Sequence, residues 1–195
     1  MWSSLEATDV AMLLRALDFA AEKHRHQKRL GEDATPYVNH LIRVTRLLAE
    51  HGVRDSVIIC AAVLHDTLED TRTTAAELDE RFGEEVRRLV EEVTDDKSLP
   101  KQERKRLQIE LACDLSPGAR VIKIADKIAN VMDVTYAPPA GWSLERRVEY
   151  VEWAAAVVEQ CRGTNETLER EWDAVMAAAR NALRGAKESE SGRPR

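Results

Sequence analysis

Residues 55–70 read DSVIICAAVLHDTLED. The first ten are among the most apolar in the chain, and the last six carry His65, Asp66, Glu69 and Asp70. Apolar residues on most sides of 55–68 mark a central helix rather than a surface one. Unpaired buried charge costs several kcal/mol or more, so charges at the end of such a helix need partners or a metal. On a continuous helix His65 and Glu69 share one face, and Asp66 and Asp70 the adjacent one.

Outward from that segment the pattern stays helical. Val10, Leu13, Leu14, Leu17, Ala20 and Ala21 make an apolar stripe over 9–27. GEDATP (31–36) reads as a turn, and a helix over about 38–51 puts His40, Val44, Leu47 and Leu48 on one face before Gly52. Thr74–Glu77 has the pattern of a capping box, and Gly83 that of a stop. A short helix follows through Val86, Leu89, Val90 and Val93, then a polar loop, TDDKSLP (94–100). Further helices are expected over 101–114, 119–135, 144–161 and 164–184, the last burying Leu168, Trp172, Val175 or Met176, Ala179 and Leu183. No segment alternates with period two over a strand's length. The reading is an all-α, single-domain bundle of about eight or nine helices spanning 1–185, with a disordered tail over 186–195.

Composition sets the class. The 195 residues are 44% hydrophobic and 33% charged, as in a globular protein. No apolar run is long enough for a membrane span, and the N-terminus lacks a signal-peptide pattern. The three cysteines, Cys60, Cys113 and Cys161, give no disulfide framework, so a cytoplasmic location is expected. A net charge of −6 argues against a partner such as long nucleic acid. KHRHQKR (23–29) and KQERKR (101–106) remain as local basic clusters suited to a small anion or to a solvated face. Apolar stripes on the terminal helices are compatible with internal packing or with a homodimer.

Inside VIKIADKIANVMDV, Asp126, Asn130 and Asp133 form a polar stripe on an apolar helix. Alone, Asp126 would pair with Arg or Lys, and an inward His40 would be a core residue. Together, His40, His65, Asp66 and Asp126 make a mixed N/O set for one divalent ion such as Mn²⁺, Fe²⁺ or Zn²⁺. Glu69 and Asp70, one turn on, are within reach to orient a water and move its proton.

The order His40, His65-Asp66, Asp126 resembles the HD phosphohydrolase superfamily. YVNH (37–40), LHDTLEDT (64–71), the segment 73–106, KIADKIAN (123–130) and GWSLERRVEYVEWAAAVV (141–158) are similar to the RelA/SpoT-type hydrolase domain. The likeness is to the stand-alone small alarmone hydrolases, the group that includes the metazoan SpoT homologue. It covers about residues 9–170.

The resemblance implies Mn²⁺, or another divalent ion, on His40, His65, Asp66 and Asp126, with Glu69 and Asp70 as the catalytic acid pair. It implies removal of the 3′-diphosphate of ppGpp or pppGpp as pyrophosphate, by attack of metal-bound water. Arg29, Tyr37 and Asn130 match nucleotide-contacting positions, and Lys101 and Arg104 a basic segment near the phosphates. The chain departs from the family at Leu41, where Pro is usual, and at Leu30, Ala129 and Met132, where a basic residue, Tyr and Arg are usual. The last three are expected to line or support the nucleotide pocket. They keep open a ppApp-type alarmone, the 2′-phosphate of NADPH or a nucleoside monophosphate as substrate.

Overall fold

The computed structural model describes residues 7–31 and 33–191. Among them are nine α-helices of eight residues or more and one single-turn helix. In chain order these are α1 (Ala7–Lys23), α2 (Val38–Glu50), α3 (Ser56–Leu64), the single turn α4 (Thr67–Asp70), α5 (Ala75–Phe82) and α6 (Glu84–Val93). After them come α7 (Lys101–Glu110), a 3-10 turn (Ala112–Asp114), α8 (Pro117–Tyr136), α9 (Leu144–Cys161) and α10 (Glu166–Ser191). The all-α expectation holds; among the described residues the extended pairing is confined to one isolated bridge, Lys28 with Pro36.

Local chemistry sets the helix ends. Asp55, Thr74, Ser116 and Ser143 each accept a backbone N–H of the first turn they precede. The Thr74 half of the expected capping box is present. Glu77 meanwhile accepts Lys23 Nζ at 2.8 Å and so ties α5 to α1. Gly83 sits at φ 88°, the left-handed region a glycine enters without cost, and joins α5 to α6.

Two helices form the centre. Cys60–Leu64 of α3 have no solvent exposure, and α3 packs against α1, α2, α6 and α8. α8 is buried along most of its length and packs against α2, α9 and α10. On α10 the inward residue is Met176, with Val175 only partly buried.

Apart from α7, which ends at Glu110 rather than 114, four boundaries differ from the sequence reading. α1 ends at Lys23 rather than 27, where the chain turns into the loop carrying Arg29. α8 starts at Pro117, because Ser116 caps it and Pro is suited to a first turn. α10 continues to Ser191, past its expected end at 184 and into the stretch read as a tail from 186. Extending an existing helix adds a hydrogen bond per residue without a new nucleus, so no apolar anchor is needed there. Residues 192–195 of that tail, like 1–6, lie outside the described residues.

The fourth difference lies at the centre. The expected helix over 55–68 is interrupted at His65-Asp66. His65 Nδ1 lies 2.8 Å from the Ala62 carbonyl, and Thr67 Oγ1 donates to the Leu64 carbonyl at 2.6 Å. Both side chains occupy acceptors of the local backbone. Asp66 sits at φ −97°, ψ −1°, and the helix resumes as Asp70 N–H bonds to the Asp66 carbonyl.

Candidate active site

Four elements converge around His65. His40 is on the first turn of α2, His65 and Asp66 form the step between α3 and α4, and Asp126 is midway along α8. Both imidazoles are buried, and both carboxylates nearly so. His40 Nε2 lies 3.2 Å from Asp126 Oδ1 and 3.8 Å from Asp66 Oδ2. His65 Nε2 lies 3.1 Å from Asp66 Oδ2 and 3.7 Å from Asp126 Oδ1. His40, His65 and Asp126 form a group whose ligand atoms all lie within 4.8 Å of one another, close enough to hold one metal ion.

His65 provides the test of fit. With its Nδ1–H donated to the Ala62 carbonyl, Nε2 faces two carboxylates, 3.1 and 3.7 Å away, and makes no hydrogen bond of its own. That arrangement calls for a positive charge between the rings and the carboxylates. Burial alone would depress His65, yet Asp66 and Asp126 outweigh it and push its pKa up to about 10. For His40 burial wins and the pKa falls. Burial would raise both carboxyls, but the imidazoles hold Asp66 well below its ordinary range, and Lys127 with the imidazoles does the same for Asp126. Two ionised carboxylates facing an orphaned imidazole nitrogen suit a divalent cation.

The surrounding polar groups orient these side chains. Tyr37 Oη donates to Asp66 Oδ2 at 2.6 Å. Asn130 Nδ2 donates to Asp126 Oδ1 at 2.6 Å, and Lys127 Nζ to Asp126 Oδ2 at 3.1 Å. Such outer contacts fix ligand orientation and contribute to metal affinity.

Glu69 and Asp70 follow on α4 and both meet the loop after α6. The Asp95 N–H donates to Glu69 Oε2 at 3.2 Å, and Arg104 Nη1 lies 3.6 Å from Glu69 Oε1. Asp70 pairs with Lys97, and its carbonyl accepts Gln27 Nε2 at 3.0 Å. Burial, then the Asp95 carboxylate, raise the Glu69 pKa above the ordinary carboxylate value.

Two chambers open onto the cluster. An inner one of about 160 Å³ is lined by His65, Asp66, Glu69, Asp95, Lys123 and Asp126 among others. An outer one of about 530 Å³ includes Arg29, Leu30, His40, Arg43, Trp142 and Tyr150 in its wall. Tyr37, Asp70 and Asn130 border both.

The structure thus gathers His40, His65, Asp66, Asp126, Glu69, Asp70, Tyr37, Asn130 and Arg29 around one pair of chambers, while Arg104 lines neither and touches the site through Glu69. Lys101 does not join them: it is exposed at the start of α7 and lines neither chamber. Of the three departures expected near the pocket, only Leu30 lines it, 70% exposed. Ala129 is wholly buried in the core, and Met132 lies outside both linings. Leu41 is likewise a core residue.

Sequence reasoning missed Arg43, Lys127, Asp95 and Gln108. Arg43 is three residues after His40 and shares its face, and Lys127 is a second charge inside an apolar helix, so both left a signal. Asp95, which accepts Gln108 Nε2 at 2.6 Å, comes from a loop without periodicity and left none.

Comparison with known proteins agrees with this geometry. The profile of the HD domain matches residues 16–151. A Homo sapiens protein named guanosine-3′,5′-bis(diphosphate) 3′-pyrophosphohydrolase MESH1 is 56% identical over 163 residues, covering 83% of this chain and 91% of its own. A Xenopus tropicalis protein of the same name is 50% identical over 168 residues, covering 86% and 94%. A solved structure described as a metazoan ortholog of SpoT that hydrolyzes ppGpp superposes with a TM-score of 0.84 at 45% identity, over 91% of this chain and 97% of that one. With its buried His/Asp cluster, its helical frame and these likenesses, this chain belongs to the HD domain family and, within it, to the group of the MESH1 proteins.

Proposed function

We propose that this protein is a metal-dependent (p)ppGpp 3′-pyrophosphohydrolase that converts ppGpp to GDP and pyrophosphate. The observation that carries the metal half is the orphaned His65 Nε2 facing two ionised carboxylates. The substrate half is supported by the activity named for relatives 50–56% identical over most of both chains.

In this reading His40, His65, Asp66 and Asp126 hold the ion. A mixed nitrogen and oxygen set favours Mn²⁺ over the all-oxygen preferences of Mg²⁺ and Ca²⁺. When bound, the ion supplies Lewis-acid charge at a phosphoryl oxygen and lowers the pKa of a coordinated water.

The protein's own groups do the rest. Tyr37 and Asn130 keep the Asp66 and Asp126 carboxylates turned inward. Glu69, its pKa raised by burial and by Asp95, accepts the proton of the attacking water, and Asp70 stands beside it. The new bond joins water oxygen to the phosphorus on the ribose 3′-oxygen. The bond to that 3′-oxygen breaks, and the oxygen takes up a proton as GDP leaves.

Arg104 meets the diphosphate in this reading, supported by its 3.6 Å approach to Glu69, with Lys101 a more distant cation on the same helix. The outer chamber has the size of a small-molecule site, with Arg29, Tyr37 and Asn130 on the nucleoside. The cysteines are free, which suits a reducing compartment such as the cytoplasm. Among the described residues no helix is long and apolar enough to cross a membrane.

Metal-stripped protein incubated with ppGpp, with and without Mn²⁺, tests the reading. GDP and pyrophosphate are expected only with the metal. Bound Mn²⁺ without pyrophosphate release would move the substrate to another nucleotide. Leu30, the apolar residue exposed in the outer chamber, favours ppApp and NADPH as the next substrates to try.

A further inference from the structure

Asp133 lies seven residues beyond Asp126 on α8, two turns along the same face. It makes no contact with the imidazole pair. Instead it anchors two guanidinium groups brought by two other segments. Arg29, from the loop before α2, donates Nε at 3.0 Å and Nη2 at 2.7 Å to Asp133 Oδ2. Arg43, from α2, pairs with the other oxygen, Oδ1.

Arg29 does not stop at Asp133. Its Nη2 also donates to Asn130 Oδ1 at 2.7 Å, and Asn130 Nδ2 donates to Asp126 Oδ1 at 2.6 Å. Asp133, Arg29, Asn130 and Asp126 therefore form one continuous line from the outer chamber to a carboxylate of the inner cluster.

The line has an electrostatic consequence. Arg29 carries a permanent charge on a long stem, and its guanidinium sits 5.6 Å from the Tyr37 ring, whose hydroxyl is bonded to Asp66. Released from Asp133, the guanidinium would turn to the cluster, where Asp126 already acts on it electrostatically and Asp66 holds the Tyr37 hydroxyl. Charge-assisted bonds to either would occupy oxygens that a metal needs.

We propose that Asp133 is a positioning residue that holds Arg29 away from the carboxylates of the metal cluster. Arg43 caps the far oxygen and stays outside the line. The inference rests on the metal site proposed above.

Its test is direct Mn²⁺ titration by calorimetry, without substrate, on wild type and on Asp133→Asn, Arg43→Ala and Arg29→Gln/Asp133→Asn. Steady-state ppGpp kinetics and metal-free thermal melting accompany each. Asp133→Asn is expected to weaken Mn²⁺ binding about 10-fold, the low end of the range for changes around metal ligands, since it acts through the freed guanidinium and not on a ligand itself. Arg43→Ala is expected to leave Mn²⁺ affinity within about twofold, since Asp133 keeps both of its bonds to Arg29 without it.

The double variant is the decisive one. Removing the loosened guanidinium should restore most of the metal affinity, while KM stays raised because Arg29 is gone from the outer chamber. Wild-type Mn²⁺ affinity in Asp133→Asn, or no recovery in the double variant, would overturn the proposal. If Asp133→Asn fails to fold, Asp133→Glu, with its carboxylate displaced by one methylene, is expected to lose affinity in the same direction. Loss of affinity in Asp133→Asn together with a wild type that binds Mn²⁺ but releases no pyrophosphate supports this proposal and overturns only the substrate assignment. A wild type that binds no Mn²⁺ overturns both.

Discussion

His65 donates one ring nitrogen to the Ala62 carbonyl and turns the other toward Asp66 and Asp126. In the proposed site that division of labour gives it the role of a ligand rather than of a packed core histidine. His65→Ala is therefore expected to abolish both Mn²⁺ binding and pyrophosphate release, and turnover surviving the change would show the ligand set to be wrong. Glu69 is expected to separate the two properties. Its carboxylate contacts Asp95 and Arg104 and no imidazole. Glu69→Gln should cut kcat by about 10²- to 10⁴-fold, the usual span for a general acid–base group, with Mn²⁺ affinity retained in the same preparation. A parallel loss of metal would place Glu69 among the ligands instead.

At the scale of elements, α3 brings a wholly apolar segment to an abrupt polar end. Its start is held by Asp55, whose carboxylate accepts the N–H groups of Val57 and Ile58. Asp55 is exposed and remote from the chambers, so it acts on stability alone. Asp55→Ala should cost about 1 kcal/mol, a typical N-cap value. In a chain of this size that lowers Tm by about 2–4 °C. Melting and kcat measured together check it, and a changed kcat would show that the α3 start is coupled to the site. The end of α3 works differently. The step at His65-Asp66 presents neighbouring residues to α2 and α8 together, which one straight helix face does not do.

At the scale of the molecule, the cluster joins helices distant in sequence: α2, the α3–α4 step and α8. An ion bound only by the folded form ties them, and free ion at about 100 times Kd contributes about 2.7 kcal/mol. Adding Mn²⁺ at that level to metal-free protein should raise Tm by about 5–10 °C, and an unchanged Tm would argue that no such site forms. The frame behind the site is hydrophobic. Leu168 and Trp172 on α10 are buried in the same core as the inward residues of α8. Leu168→Ala should cost about 2–5 kcal/mol, read as a lower midpoint in urea, with the Mn²⁺ affinity of the folded fraction unchanged.

Period and residue type alone determined the helical class, the buried α3 and α8 segments, the Thr74 and Gly83 signals, and the four ligand candidates. These are local properties, written in three- and four-residue spacings and in charges that interrupt apolar runs. The step at His65-Asp66 was not legible, because it depends on Thr67 and His65 competing for backbone acceptors that a continuous helix would also use. Nor was the continuation of α10 through residues with no core to face. The roles of Leu30, Ala129 and Met132 needed the packed chain: Leu30, on the loop before α2, reaches the chamber, while Ala129 and Met132 on α8 line neither. Above all, tertiary structure decided that Arg29, Arg43 and Asp133 meet. They are separated by up to 104 residues, and a hydrogen bond between them depends on the angle at which α2 and α8 pack, which no local pattern records.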